Sequence, residues 1–506
     1  MTKPRATRRT RRTPALMLQG TTSNAGKSVL ATAFCRIMLQ DGLRVAPFKA
    51  QNMSLNSFVT RDGGEMGRAQ VVQARACRLA PDVLMNPILL KPNTDTGSQV
   101  IVLGKPVANM NVHAYTRFKA SLRETVHDAY DCLAGKYDAM VLEGAGSPAE
   151  VNLKSHDLVN MAMARHAHAA VLLVGDIDRG GVYAHFIGTF ACLEPWERRL
   201  LKGYVVNRFR GDASLLDDAH TFMMRRTRRP VVGVVPFLRD LNLPEEDSVS
   251  FKAGGDEPRS RRRDSVEIVV LDLPHISNFT DFDALRAEPD VTVRIVRNAA
   301  SLGNPHAVII PGSKNVPGDL QFLRAAGLAD AVLRLAAKGR TRVVGICGGF
   351  QMMGETIADP YRLESGTGGS FNGLGLLPVR TVLEREKHLG LTLASHCASR
   401  TEVRGYEIHH GRTTAGRGVV ALMKTARRGT AAVGGKDGRC WGTYLHGVFD
   451  SDAFRRVFVD GLRQDRGLSP LRTIQARYDI EPALDRLAAA VRAAVDMKQI
   501  YRWMGL

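Results

Sequence analysis

The chain has 506 residues, more than one hydrophobic core ordinarily serves, which predicts two or three domains. No apolar run approaches the roughly 20 residues that a bilayer span requires, so a membrane-spanning helix is not expected. The formal net charge of +20 suits acidic ligands but does not choose between a small acid and a nucleic acid.

The first segment, MTKPRATRRTRRTP, carries Lys3, Arg5, Arg8, Arg9, Arg11 and Arg12 with no acidic partner and no apolar stretch behind them. Residues 1–13 therefore read as a solvated basic tail, not a secretory signal, with a nucleic-acid arm as the alternative. From residue 14, short β-branched runs alternate with helical patterns: ALMLQ (15–19), RVAPF (44–48), AMVLE (139–143), AVLLVG (170–175), YVVN (204–207) and VVGVV (231–235). Such runs, apolar on both faces, predict a parallel α/β sheet over 14–252. AGGDEPRSRRRDS (253–265) has no apolar cluster and adjacent glycines, as an interdomain linker would. A second α/β series occupies 266–453, with VEIVVLDLP (266–274), VTVRIVR (291–297), HAVIIPGS (306–313), RVVGIC (342–347), GLGLLPV (373–379) and WGTYLHGVF (441–449). Residues 454–506 read as a C-terminal helical segment. Seven cysteines lie scattered without a CxxC pair, which speaks against a zinc ribbon or disulfide framework and for a reducing cytoplasm.

GTTSNAGKS (20–28) follows the first strand and opens a helix whose Leu30, Ala33, Phe34, Ile37 and Met38 share one face. That is the setting of a phosphate loop, in which Gly20, Thr21, Thr22 and Gly26 bring backbone amides to a bound nucleotide. Lys27 would reach the β and γ phosphates of ATP, and the Ser28 hydroxyl would ligate Mg²⁺. Thr21 stands where the common loop has its first glycine. The GTxSxxGKS form resembles the loops of dethiobiotin synthetase and its relatives. Glu143, at the end of an apolar strand before GAGS, is placed to hold Mg²⁺, with a surface or capping glutamate as the alternative. Asn207 closes YVVN, where its amide would read an adenine edge or simply serve a turn. Lys49, in PFKAQN, either faces an anionic substrate or phosphate or snorkels at a strand end.

In VGICGGFQ (344–351) a cysteine stands between glycines at the end of an apolar run. A nucleophile on such a strand-to-helix turn lies over the amides of the next helix, whose N-terminus favours a thiolate. The backbone N–H of Gly348, with a second donor at Gly312, would form an oxyanion hole. His446 in TYLHGVFD is the candidate base for Cys347, and Gln351 would contact a substrate amide. His409 and His410 either line the same cleft or pack elsewhere. His166 and His168, with no nearby cysteine or carboxylate cluster, read as surface or core residues.

The elbow Gly345-Ile346-Cys347-Gly348-Gly349-Phe350-Gln351 resembles the GxCxGxQ motif of class I glutamine amidotransferases, which implies a flavodoxin-like second domain. Most of that class carry a glutamate two residues after the histidine; here that position is Val448, so the residue that orients His446 is left open. The cobyrinic and cobyric acid synthases share the missing glutamate. APFKAQNMSLNS (46–57), GGEMGRAQ (63–70), MNPILLKP (85–92), GSQVIVLGK (97–105), VNRFRGD (206–212), LPEEDSV (243–249), SNFTDFDAL (277–285), PGSKNVPGDL (311–320) and GYEIHHG (405–411) also look like segments of that family. The resemblance implies ATP- and glutamine-dependent amidation of the b, d, e and g carboxylates of adenosylcobyrinic acid a,c-diamide in cobalamin synthesis. It implies ATP, Mg²⁺ and small-molecule partners, without nucleic acid or membrane. Two alternatives remain: amidation one stage earlier, at carboxylates a and c, and a partition-type ATPase with an inert amidotransferase-like domain.

Overall fold

The computed structural model describes residues 12–93, 97–239, 241, 243–244, 264–426 and 429–506. Most of the basic tail and of the linker lies outside the described residues. The six apolar runs of the first half form one parallel sheet, ordered Val231–Pro236, Leu201–Phe209, Ala170–Asp176, Ala15–Gly20, Ala139–Glu143, Val45–Phe48. Successive side chains of a strand point to opposite faces, so the strand Ala15–Gly20 feeds two cores. Met17 packs with Phe48, Met140 and Leu142 on one face, and Leu16 and Leu18 pack with Phe34 and Val141 on the other. Helices cover both faces, which is why these strands carry no polar alternation.

Between the edge strand Val45–Phe48 and Ala139–Glu143 the chain makes an excursion absent from the expected strands. Gln51–Met53, Ile88–Pro92, Gly97–Val102 and Lys105–Asn111 form a four-stranded sheet, and Ser57–Val59 pairs with Glu65–Gly67 in a small hairpin. Gln51–Met53, Ser57–Val59 and Glu65–Gly67, at three residues each, carry too little periodicity to announce themselves.

The second domain has a parallel sheet ordered Val291–Val296, Val266–Leu271, Ala307–Ile310, Arg342–Ile346, Cys440–Thr443. It continues antiparallel through Thr430–Gly434, Val420–Thr425 and Val379–His396, the last pairing with Glu402–Ala415 in a long hairpin. The strand expected over 373–379 does not form, and only Val379 belongs to one. Gly375 takes φ 68°, and a Cβ at Gly373 would stand 2.0 Å from the Gly354 carbonyl, so those residues turn tightly.

The segment expected as one C-terminal helical piece divides between the domains. Helix Asp452–Gln464 sends Phe454, Phe458, Val459 and Leu462 into the second core. Helix Glu481–Ala494 returns to the first domain, where Leu484, Leu487 and Val491 pack with Phe34, Ile37 and Met38 of helix Lys27–Gln40. Buried Arg36 pairs there with Glu481 and with Asp485. The apolar stripe of that C-terminal helix therefore completes the nucleotide-binding domain. No helix among the described residues is long and apolar enough to cross a membrane. Leu487→Ala leaves a hole in this contact, and the first-domain transition should lose about 2–5 kcal/mol of stability in chemical denaturation.

Candidate active sites

The phosphate loop forms as its sequence setting predicts, between the strand Ala15–Gly20 and helix Lys27–Gln40. Gly26 takes φ 95°, and a Cβ there would lie 2.0 Å from the Asn207 amide nitrogen. A Cβ at Gly20 would press on Lys27 Nζ and the Thr22 carbonyl, each at 2.7 Å. Lys27 Nζ donates to the carbonyls of Thr22 and Gly146, both at 3.0 Å, which holds the ammonium over the loop. The Thr21 hydroxyl is buried with no hydrogen-bond partner among the described residues. Asn207 donates its amide to the Ala25 carbonyl at 2.9 Å, so it braces the loop directly.

Glu143 is the hub beside the loop. Its Oε1 accepts from the Ser28 hydroxyl at 2.7 Å and from Lys49 Nζ at 2.8 Å; its Oε2 accepts from Gln73 at 2.6 Å. Lys49 thus meets this carboxylate at the strand end. A hydroxyl and a carboxylate in contact are hard oxygen donors of the kind Mg²⁺ takes, and the pair lies next to the loop that would carry the phosphates.

Cys347 sits at the turn from strand Arg342–Ile346 into helix Gly348–Met353 with φ 52° and ψ −107°. A side chain in that left-handed region is strained, and the fold holds it there. Its N–H donates to Thr443 O at 2.7 Å, and its thiol lies 3.6 Å from Ile408 O. Gly349 is obligatory, since a Cβ would stand 1.9 Å from the Ile310 carbonyl. Gly348 and Gly312 flank the nucleophile: a Cβ on the first would meet Ser313 N at 2.8 Å, and on the second His446 Cε1 at 3.1 Å. Gln351 borders the same cavity, and its Oε1 is buried without a partner among the described residues.

His446 lines the same cavity as Cys347 and is hydrogen-bonded to Asp281. The Asp281 carboxylate lies 2.7 Å from His446 Nδ1, and its second oxygen accepts the Gly447 N–H at 2.8 Å. Asp281 therefore answers the question that Val448 left open: the orienting carboxylate comes from a 3₁₀ turn, Phe279–Phe282, far upstream. Burial works against the imidazolium, but Asp281 and Cys347 outweigh it and push His446 up to about 10. Asp281 lies inside the SNFTDFDAL segment, and that segment's acidic residues were the available signal. Tyr406 stacks on the His446 ring at 5.5 Å.

His409 and His410 both line the cavity. His409 stacks on Tyr444 and places Nδ1 2.7 Å from Gly411 O. His410 lies 3.2 Å from Gln99 of the first domain, and burial, with Lys314 and Lys387 nearby, lowers it to about 3. His166 stacks on His127 and meets Asp131, while His168 occupies a helix C-cap at φ 50°. The two groups of expected site residues thus assemble separately, the loop set in the first domain and the thiol set in the second. Between them Glu65, fully buried, takes Lys91 at 2.8 Å and Lys387 of the second domain at 2.5 Å. Burial alone would raise the Glu65 carboxyl, but Lys387 and Lys91 hold it well below the usual range.

A cysteine elbow with histidine and aspartate, on a parallel sheet joined to a phosphate-loop domain, defines a glutamine amidotransferase coupled to a nucleotide-binding unit. Residues 267–454 match the CobB/CobQ-like glutamine amidotransferase domain, and residues 16–251 match the CobQ/CobB/MinD/ParA nucleotide binding domain. A cobyric acid synthase of Nitratidesulfovibrio vulgaris is 56% identical, covering 98% of this chain and 98% of the relative. Cobyric acid synthases of Klebsiella pneumoniae and Salmonella typhimurium are 49% and 47% identical, each alignment covering 97% of this chain and 98% of the relative. The chain belongs to the cobyric acid synthase family.

Asp281→Asn removes the charge that keeps His446 protonated. Glutaminase turnover should fall by about 10²–10⁴-fold. The imidazolium, whose folded value is raised, is retained in the wild type until pH rises through about 10. In the variant the alkaline limb of the glutaminase profile should move down toward neutral pH. The pH profile of glutamate release measures both effects.

Proposed function

We propose that this chain amidates the b, d, e and g carboxylates of adenosylcobyrinic acid a,c-diamide, taking nitrogen from glutamine and energy from ATP. The observation that carries this reading is the presence of both reactive centres in one chain: the Cys347–His446–Asp281 arrangement and the loop bearing Lys27. Each needs the other. Hydrolysis of glutamine yields ammonia, which water protonates to a species without a nucleophilic lone pair. A carboxylate becomes an acceptor for ammonia once phosphorylated, because phosphate leaves where hydroxide does not.

In the second domain the Cys347 sulfur attacks the γ-carboxamide carbon, and His446 gives its proton to the departing nitrogen. Gly348 and Gly312 supply the oxyanion donors. Asp281 keeps the ring in the tautomer and orientation this transfer needs. Water then releases glutamate from the thioester. In the first domain Lys27 and the loop amides bind the phosphates of ATP. Thr21, whose buried hydroxyl has no partner among the described residues, gains one in a bound phosphate. Ser28 and Glu143 would hold Mg²⁺, which neutralises charge on the phosphates during transfer. Each amide consumes one ATP and one glutamine. The protein acts in the cytoplasm on small molecules, and its unpaired cysteines accord with a reducing compartment.

Mass spectrometry of the corrinoid after incubation with ATP, Mg²⁺ and glutamine should show amides added stepwise. The positions amidated separate this reading from a,c-diamide synthesis, and a product amidated only at a and c would overturn it. Cys347→Ser should stop glutamine-dependent synthesis while ammonium salts still support it. Lys27→Ala should remove at least 99% of synthesis with either nitrogen source, an effect of the size that loss of a phosphate-binding cation gives.

A further inference from the structure

The cavity that Cys347 opens into holds two opposite charges that do not meet. Lys314, in PGSKN, lines it with Cys347, Gln351 and His446, and so does Glu364. Both are nearly enclosed, at 6% and 9% exposure. Among the described residues the Lys314 ammonium makes no hydrogen bond and no ion pair. Glu364 accepts the Val316 N–H through Oε2 at 2.9 Å and forms no ion pair with Lys314.

These positions are built. Lys314 follows strand Gly312–Ser313, and its N–H is fixed on the His275 carbonyl at 3.0 Å. Glu364 is carried on a turn clasped by Asp359, whose carboxylate accepts the N–H groups of Leu363, Glu364 and Ser365 at 2.8, 3.0 and 2.9 Å. Burial lowers the Lys314 ammonium from its ordinary range and raises the Glu364 carboxyl. A buried charge without a close counter-charge is held at a cost that a ligand of complementary charge removes.

We propose that Lys314 and Glu364 recognise the α-amino acid head of glutamine, the ammonium taking the α-carboxylate and the carboxylate taking the α-ammonium. The γ-carboxamide is then the part left to reach Cys347. This assignment rests on the glutaminase reading of the cavity and names what selects its substrate. An amide without both charged groups lacks the contacts that hold it at the thiol. Lys314 and Glu364 act in binding, and the thiol chemistry remains with Cys347 and His446.

The test compares glutamate-type product release from three amides: glutamine, 4-aminobutanamide, which lacks the α-carboxylate, and glutaramate, which lacks the α-amino group. Lys314→Met should raise KM for glutamine on the order of 100-fold with kcat much less affected. For 4-aminobutanamide, wild type and Lys314→Met should show similar kcat/KM, because the contact is already gone. Glu364→Gln should give the mirror result, weak on glutamine and indifferent with glutaramate. Amide synthesis from ammonium, measured in each variant, reports that the chain has folded, and Glu364→Gln tests the clamp independently of Lys314. Equal losses on amides with and without the charged group, or a fall in kcat at unchanged KM, would overturn the clamp and leave Lys314 as a thiolate stabiliser. A wild type that turns over glutamine while both variants match it overturns the clamp alone. A wild type that releases no glutamate from glutamine overturns the glutaminase reading and the clamp with it.

Discussion

Glu65 is the charge on which the union of the two domains depends. A carboxylate taken wholly out of water costs several kcal/mol, and it is tolerated here only because two ammonium groups reach it. One, Lys91, comes from the same domain; the other, Lys387, comes from the long hairpin of the second. Lys91 also touches the Ser57 hydroxyl at 2.9 Å, and Lys387 touches Gln99 at 3.1 Å. A cluster of this kind adds little net stability compared with an apolar contact of equal volume. It does penalise any arrangement of the domains that separates its members, because each separation strands a buried charge. The interface is thereby specified as well as held.

The glutaminase centre is built against that same interface. Asp281 occupies a turn whose neighbours are tied to the first domain: Asn278 donates to the Ser57 carbonyl at 3.0 Å, and Thr280 donates to the Asn56 side chain at 3.2 Å. Tyr406, which stacks on His446, also packs against Phe58 of the first domain and accepts from Asn278. The carboxylate that orients the histidine is therefore positioned by contacts from both halves. A catalytic arrangement that needs the partner domain in place ties thiol chemistry to the presence of the amide-forming half.

Local backbone logic was legible in the sequence, and long-range pairing was not. The loop at 20–28 and the elbow at 345–351 each follow an apolar strand and open a helix, so their glycines and reactive residues could be placed from a few consecutive letters. Lys49 could be read as facing an anion, but nothing nearby in sequence said that the anion was Glu143, 94 residues on. Asp281 and His446 are 165 residues apart, and no periodicity links a 3₁₀ turn to a strand end. The strand Val379–His396 escaped for a different reason. Its run LEREKH is charged because that stretch faces solvent and the domain junction, so the alternation that marks a half-buried strand is interrupted.

Composition gives no reason for stretches such as QNMSLNS or GGEMG to hold any particular sequence, since they are polar and too short to form a core. The fold supplies the reason. Asn56 and Ser57 contact the Asp281 turn, and Glu65 anchors the lysine pair. Asn52 and Gln70 join through a hydrogen bond of 2.9 Å, and Gln70 and Gln73 extend to Glu143 beside the phosphate loop. Buried polar contacts thus gather on the nucleotide side, around Glu143, and on the thiol side, around Glu65 and the Asp281 turn, in the segments that local reasoning could not interpret. In such a network each donor must meet its acceptor, and a single apolar replacement leaves the remaining partner buried and unsatisfied. Sequence is constrained there by pairing across the domain junction, which is a stronger restriction than packing places on an ordinary loop.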